Sequence, residues 1–142
     1  MKDILCFQDE NRWLSNFWPA EVGLDGVIYP TVKNAYQASK TTPENRNLFK
    51  NCRPGEAKRL GRQVPLRPEW DALEAMQNFV WQKYDFGNTL GAKLVNTGTC
   101  HIEEGNAWGD TFWGVCRGQG QNILGKLIME RRQLLQTVGG NS

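Results

Sequence analysis

The sequence predicts a mainly α-helical fold, one domain over residues 1–142 with a small N-terminal antiparallel β-hairpin. Three observations predict it. After Pro30, apolar residues recur at spacings of three and four through most of the chain, the period of an amphipathic helix. Before that point, two short apolar runs, 21–24 and 27–29, flank Asp25-Gly26, a strong two-residue signal for a type I′ hairpin. The length of 142 residues suits one core that buries roughly two-thirds of the unfolded surface.

The elements follow in order. Ile4-Leu5-Cys6-Phe7 is a short strand candidate. Thr31 is placed to cap a helix over 32–39. Thr42, Pro43 and Glu44 offer cap, N1 proline and first-turn acid for a helix through Phe49. Residues 54–60 read as another short helix stopped by Gly61. The longest helix is predicted from Pro68 to Tyr84, with Trp70, Leu73, Met76, Phe79, Val80 and Tyr84 on one face. A shorter one follows over 88–95. The last starts near Asn122 and runs to Val138, with Ile123, Leu124, Leu127, Ile128, Leu134, Leu135 and Val138 as its apolar face. Arg131 and Arg132 fall in its solvated half, and residues 139–142 are expected to fray.

Composition excludes several classes. Seventeen basic against 15 acidic residues leave a net charge of only +2, too weak for a dedicated duplex binder, although a local basic patch is compatible with it. Cys6, Cys52, Cys100 and Cys116 lie far apart with no C-x-x-C, and His101 is the single histidine, so no metal site is expected. Scattered cysteines without a signal peptide read as reduced, buried thiols of a cytoplasmic protein. No apolar run reaches the length of about 18 residues that a transmembrane helix needs, so no membrane partner is expected.

Three segments carry candidate chemistry. The block from Glu104 to Leu124 sets two Trp-Gly pairs, Asp110, Glu104 and two asparagines among five glycines. Glycine costs backbone entropy in a core, and a plain surface loop rarely spends two tryptophans and a phenylalanine. The mixture suits a pocket wall against a flat ligand, or a long loop pinned by Trp108 and Trp113. Leu14-Ser15-Asn16-Phe17 is a polar pair between apolar residues, which also reads as an Asx turn. On the 32–39 helix, Lys33, Tyr36, Gln37 and Lys40 share one face, either solvated or lining a polar cavity. Lys33 falls at N2, where the helix dipole disfavours a cation by about 0.3–1 kcal/mol. The basic run Lys58, Arg59, Arg62 and Arg67 reads as a phosphate holder or as the solvated face of a short helix. Neither a P-loop nor a dinucleotide fingerprint is present.

Together these motifs resemble the YbiA-like family, also called the NADAR domain family, from about Phe7 to Leu134. The matching pieces are Leu14-Ser15-Asn16-Phe17, Tyr29-Pro30-Thr31-Val32 leading into Ala35-Tyr36-Gln37-Ala38-Ser39-Lys40, Trp70 in Arg67-Pro68-Glu69-Trp70, Glu104 to Gly114, and Gly120-Gln121-Asn122-Ile123-Leu124-Gly125-Lys126. The resemblance implies a mainly helical fold and hydrolysis of N-glycosidic bonds to ribose, without metal or organic cofactor. The implied substrates are ADP-ribosylated guanine, free or in nucleic acid, or ribosylated intermediates of riboflavin synthesis. The family pattern uses a Glu early in the Thr31-capped helix, a Trp at Trp70 and an Asp at Asp110. At the first of these this chain has Lys33, which implies impaired turnover. Lys33, Trp70 and Asp110 are therefore the expected catalytic positions. Asn16, Tyr36, Lys40, Arg62, Glu104, Trp108, Gly109, Trp113 and Asn122 are expected to bind substrate, with the 104–124 block and the 32–39 helix as two halves of one site. The alternatives are a non-catalytic ADP-ribose or nucleotide-binding module and a helical interaction protein.

Overall fold

In the computed structural model of the chain, residues 2–140 are described. They gather into two compact units, residues 16–83 and the segments either side of it, up to Ser15 and from Tyr84 onward. Each is built mainly of helices with one two-stranded sheet.

The 16–83 unit opens with the hairpin, β1 (Val22–Leu24) against β2 (Val27–Tyr29), paired Val22 to Tyr29 and Leu24 to Val27. Asp25 and Gly26 both have positive φ, 50° and 83°, as a type I′ turn requires. Helix α1 (Val32–Ser39) is capped by the Thr31 hydroxyl, which accepts from the Asn34 amide at 3.1 Å. It forms the centre of the unit and packs against the hairpin, α2 (Asn47–Lys50), α3 (Pro54–Leu60) and α4 (Ala72–Lys83). That position buries every α1 residue except Lys33, so Tyr36 and Gln37 are interior, not solvated. Val22, Tyr29, Val32, Phe49, Met76, Phe79 and Val80 complete the core. Each such side chain contributes about 1.5–3 kcal/mol by leaving water.

The second unit starts with a single β-bridge, Ile4 to Ile102, and a 3-10 helix, Asp9–Leu14. Helix α5 (Thr89–Asn96), capped by Asn88, packs on α6 (Ile123–Gly140). Between them β3 (Gly105–Asn106) and β4 (Val115–Cys116) pair in parallel, a feature with no local sequence signature. Ile4, Trp13, Leu14, Tyr84, Leu94, Ile102, Leu124, Ile128 and Leu135 form this core.

Several expectations are corrected. Residues 4–7 are not a strand; Ile4 makes one bridge while Leu5 and Cys6 are exposed. The 42–49 helix is split into a 3-10 turn, Pro43–Asn45, and α2, because Arg46 turns its guanidinium back to the Ala38 and Thr41 carbonyls. The long helix begins at Ala72, not Pro68. Glu69 has φ +64°, and the Asp71 carboxylate accepts from the Leu73 and Glu74 amides, so Trp70 precedes the helix and Leu73 is exposed. On α6 the roles of two groups are exchanged. Arg131 and Arg132 are buried, bonded to the carbonyls of Tyr84 and Cys100, while Leu134 and Val138 are exposed. Cys100 alone of the four thiols is buried, and Cys6 is exposed. The helix continues to Gly140; the expected fraying of Asn141 and Ser142 falls outside the described residues. Among the described residues no helix is long and apolar enough to cross a membrane, and no cluster of three or more His, Cys, Asp or Glu suits a metal.

Candidate functional site

In the 16–83 unit the Ser15-Asn16-Phe17 stretch meets the start of α1. The Lys33 amide donates to the Asn16 carbonyl at 3.0 Å, which satisfies one of the orphan N–H groups of the helix end. The Asn16 side-chain amide donates to Met76 Sδ at 3.6 Å, and the Lys33 ammonium stands 5.6 Å from the centroid of the Phe17 ring. A cation thus occupies N2 in a half-buried setting, with no acid in the first turn.

At the other end of α1, helical spacing places Tyr36 and Lys40 on one face, and the turn before α4 brings Trp70 over them. The Tyr36 and Trp70 rings are 5.4 Å apart and tilted 51°. Lys40 Nζ lies 5.3 Å from the Tyr36 centroid and 5.6 Å from that of Trp70. Ser39 Oγ locks the arrangement, donating to the Tyr36 carbonyl at 2.6 Å and accepting from the Trp70 indole N–H at 3.0 Å. Arg67 adds two bonds, its amide to the Lys40 carbonyl at 2.7 Å and its Nε to the Ser39 carbonyl at 2.7 Å. Burial, then the fields of Arg62 and Lys58, hold the Lys40 ammonium below the usual lysine pKa. An anion there would relieve all three cations. The Gln37 side-chain carbonyl is buried without a donor among the described residues, and the Gly61 backbone lies so close that a Cβ would overlap it.

In the other unit the glycine-rich block is a tightly bonded loop. Asn106 latches it: its Oδ1 accepts from the Trp108 and Asp110 amides at 3.3 and 3.0 Å, and its Nδ2 donates to the Asp110 carbonyl at 2.9 Å. Asp110 Oδ1 in turn accepts from the Phe112 and Trp113 amides at 3.1 and 2.9 Å. Its second oxygen has no protein donor among the described residues and is available to a ligand hydroxyl or water. Trp108 is 62% exposed, and Gly109 beside it is exposed with φ +86°. Phe112 and Trp113 meet edge to face at 4.9 Å. Glu104 is half-buried, and its carboxylate and carbonyl close over Gly114, where a Cβ has no room. Asn122, at φ +53°, is buried with both amide ends committed, accepting from the Glu104 amide and donating to the Ile102 carbonyl.

The structure therefore brings Tyr36, Lys40 and Trp70 together, and places Asn16 beside Lys33. Arg62 is exposed, and its charge acts on Lys40. Asp110, Trp108, Gly109, Trp113, Glu104 and Asn122 gather in the other unit, with Asn122 supporting the loop from beneath. Ser39 and Asn106 were not among the expected site residues, although Ser39 stands inside the Ala-Tyr-Gln-Ala-Ser-Lys motif, whereas Arg67, read as one of the phosphate-holding cations, gives its Nε to the Ser39 carbonyl. Their roles depend on distant backbone carbonyls and loop closure, which no local pattern reports. An open groove of about 370 Å³ lined by Cys6, Glu103, Asn106 and Arg117 contains none of the expected residues.

Helices with two small two-stranded sheets make this a mainly α-helical protein. An NMR structure of the E. coli protein YbiA matches with a TM-score of 0.83 at 28% identity, covering 100% of this chain and 90% of that one. The model of the NADAR domain family matches residues 6–136, and the chain belongs to that family. N-glycosidase YbiA of E. coli K12 is 33% identical over 136 residues, 89% of this chain and 83% of that protein. A riboflavin biosynthesis protein of Vibrio vulnificus is 30% identical over 136 residues, which cover 90% of this chain and 37% of that one.

Proposed function

We propose that this chain is built to cleave the N-glycosidic bond between ribose and a base, on ADP-ribosylated guanine or a ribosylated intermediate of riboflavin synthesis, and that Lys33 holds its turnover down. The observation that carries it is the Lys40 cluster. A half-buried ammonium between two aromatic rings, pressed by two further cations, suits a ligand that is both flat and anionic, as phosphorylated nucleosides are. The relatives named N-glycosidase supply the reaction class.

Cleavage passes through an oxocarbenium-like ribose, with positive charge growing at the anomeric carbon while the base departs with the bonding electrons and water adds. Each role asks for a particular residue type. The half-buried Trp70, backed by the interior Tyr36 ring, offers a face to a base; Lys40, with Arg62, holds phosphate. The uncommitted oxygen of Asp110 holds ribose hydroxyls or the attacking water. Near the growing cation the chemistry needs a carboxylate, and the family pattern has Glu at the position of Lys33. At about 4 Å and an effective dielectric near 20, one unit charge pair is worth about 4 kcal/mol. Exchanging that attraction for repulsion costs several powers of ten in rate.

The test is Lys33→Glu. Base release from ADP-ribosylated guanosine, and from a phosphoribosylated pyrimidine, is expected to rise at least a hundredfold in the variant on one of the two. Equal activity of both forms on both substrates sinks the role of position 33. The Lys33 ammonium over Phe17 favours a second reading, a non-catalytic ADP-ribose-binding module. Calorimetry showing ADP-ribose binding by both forms, with turnover by neither, supports that module instead.

A further inference from the structure

Trp70 stands on a strained turn. It precedes α4, and Glu69 just before it has φ +64°, a left-handed conformation that disfavours a non-glycine residue and persists only where the surroundings over-determine it. The backbone on either side is tied. The Arg67 amide donates to the Lys40 carbonyl at 2.7 Å, and the Asp71 carboxylate accepts from the Leu73 and Glu74 amides. Those bonds fix the path of the chain and leave the angle of the indole ring open.

Ser39 sets that angle. It ends α1 with 2% of its surface exposed, and its carbonyl accepts from Arg67 Nε at 2.7 Å. A hydroxyl has one proton, and this one goes to the Tyr36 carbonyl at 2.6 Å, the bond that a serine within a helix makes back along its own backbone. The Ser39 lone pairs accept from the Trp70 indole N–H at 3.0 Å. Indole has a single donor and no acceptor, so with that donor spent Trp70 presents a ligand with its ring alone. The next residue, Lys40, holds Nζ 5.6 Å from the Trp70 centroid, so neighbours at the end of α1 set both the ring and the cation.

We propose that Ser39 is a positioning residue: it holds the Trp70 ring at the angle at which a base stacks, and Trp70 acts through its face and not as a hydrogen-bond donor. This rests on the reading of the Lys40 cluster as the seat of a flat, anionic ligand. A ring fixed before the ligand arrives spares binding the loss of one side chain's freedom, worth about two- to tenfold in affinity.

Calorimetry with guanosine diphosphate, which carries base and anion, and with inorganic pyrophosphate, which carries the anion alone, separates the ring from the cation. Ser39→Ala is expected to weaken the nucleotide at least threefold and to leave pyrophosphate unchanged. Trp70→Phe keeps a face and loses the N–H, so it is expected to lose the same amount. Adding Ser39→Ala to Trp70→Phe is then expected to cost nothing more. Trp70 is half-buried, so the Trp70→Phe comparison of the two probes still decides if the buried Ser39→Ala fails to fold. In NMR spectra the indole N–H resonance missing from Trp70→Phe is expected to exchange with water at least tenfold faster in Ser39→Ala. A wild-type chain that does not bind the nucleotide overturns the cluster reading and this proposal together. Where the nucleotide binds, the proposal alone is overturned if either substitution leaves its affinity unchanged or raises it, if both probes weaken equally, if the two substitutions add independently, or if the indole proton exchanges as fast in the wild type as in Ser39→Ala.

Discussion

Lys83→Met makes stability insensitive to a proton that the native chain releases near neutrality. Lys83 ends α4 with 2% of its surface exposed, and burial lowers its ammonium pKa from 10.5 to about 7. In the unfolded chain the same group holds its proton to about 10.4. Between those values the unfolded state binds more protons, so wild-type stability rises with pH by about 1.4 kcal/mol per unit. From pH 7, where the folded group is half-titrated, to pH 9 that is about 2.3 kcal/mol, and well below pH 7 the buried charge costs its full amount. The window stops at 9 because Cys52, Tyr29 and Tyr84 have raised pKa values, so in that range they hold protons in the fold that the unfolded chain loses. Lys40, lowered by burial, acts in the same direction as Lys83, which is why the variant and not the absolute slope is the measure. Methionine keeps most of the stem volume and removes the charge. Urea unfolding at pH 7 and 9 should show wild type gaining about 2.3 kcal/mol more than Lys83→Met, with the variant the more stable at pH 6. Parallel behaviour of the two proteins refutes the reasoning.

The loop chemistry yields two further expectations. Asp110→Asn keeps an acceptor for the Phe112 and Trp113 amides, so urea unfolding should show a loss below about 1 kcal/mol, whereas Asp110→Ala leaves both unmet and costs about 1–3 kcal/mol. Both should abolish base release in the Lys33→Glu background; retained activity in Asp110→Asn removes the carboxylate from the reaction. Gly114→Ala drives a methyl into the Glu104 carboxylate and carbonyl and should lose about 1–3 kcal/mol, read as a drop in Tm. An unchanged Tm shows that Glu104 moves aside freely.

Local rules carried most of the secondary structure. The Asp25-Gly26 hairpin, the Thr31 cap of α1 and the helical period of α6 all depend on interactions within four residues, so they were legible. Pro68 as a helix start was not, because the Asp71 cap and the left-handed Glu69 compete with a favourable proline. The parallel β3–β4 pair was invisible for the opposite reason: two residues on each side are too short to show a period.

The sequence by itself determined the kind of protein: helical, with a glycine- and tryptophan-rich loop, a Tyr-Gln-Ser-Lys helix, and a cation at position 33 in the first turn of that helix. Those are statements about residue identity and order. Tertiary structure decided which polar groups are spent. It committed Asn122 to two backbone partners, buried Arg131 and Arg132 against carbonyls, set Lys40 between Tyr36 and Trp70, and left one oxygen of Asp110 without a protein donor among the described residues. The reason is that a polar side chain takes whatever donor or acceptor burial leaves beside it. Those neighbours come from segments distant in the chain, where no spacing rule reaches.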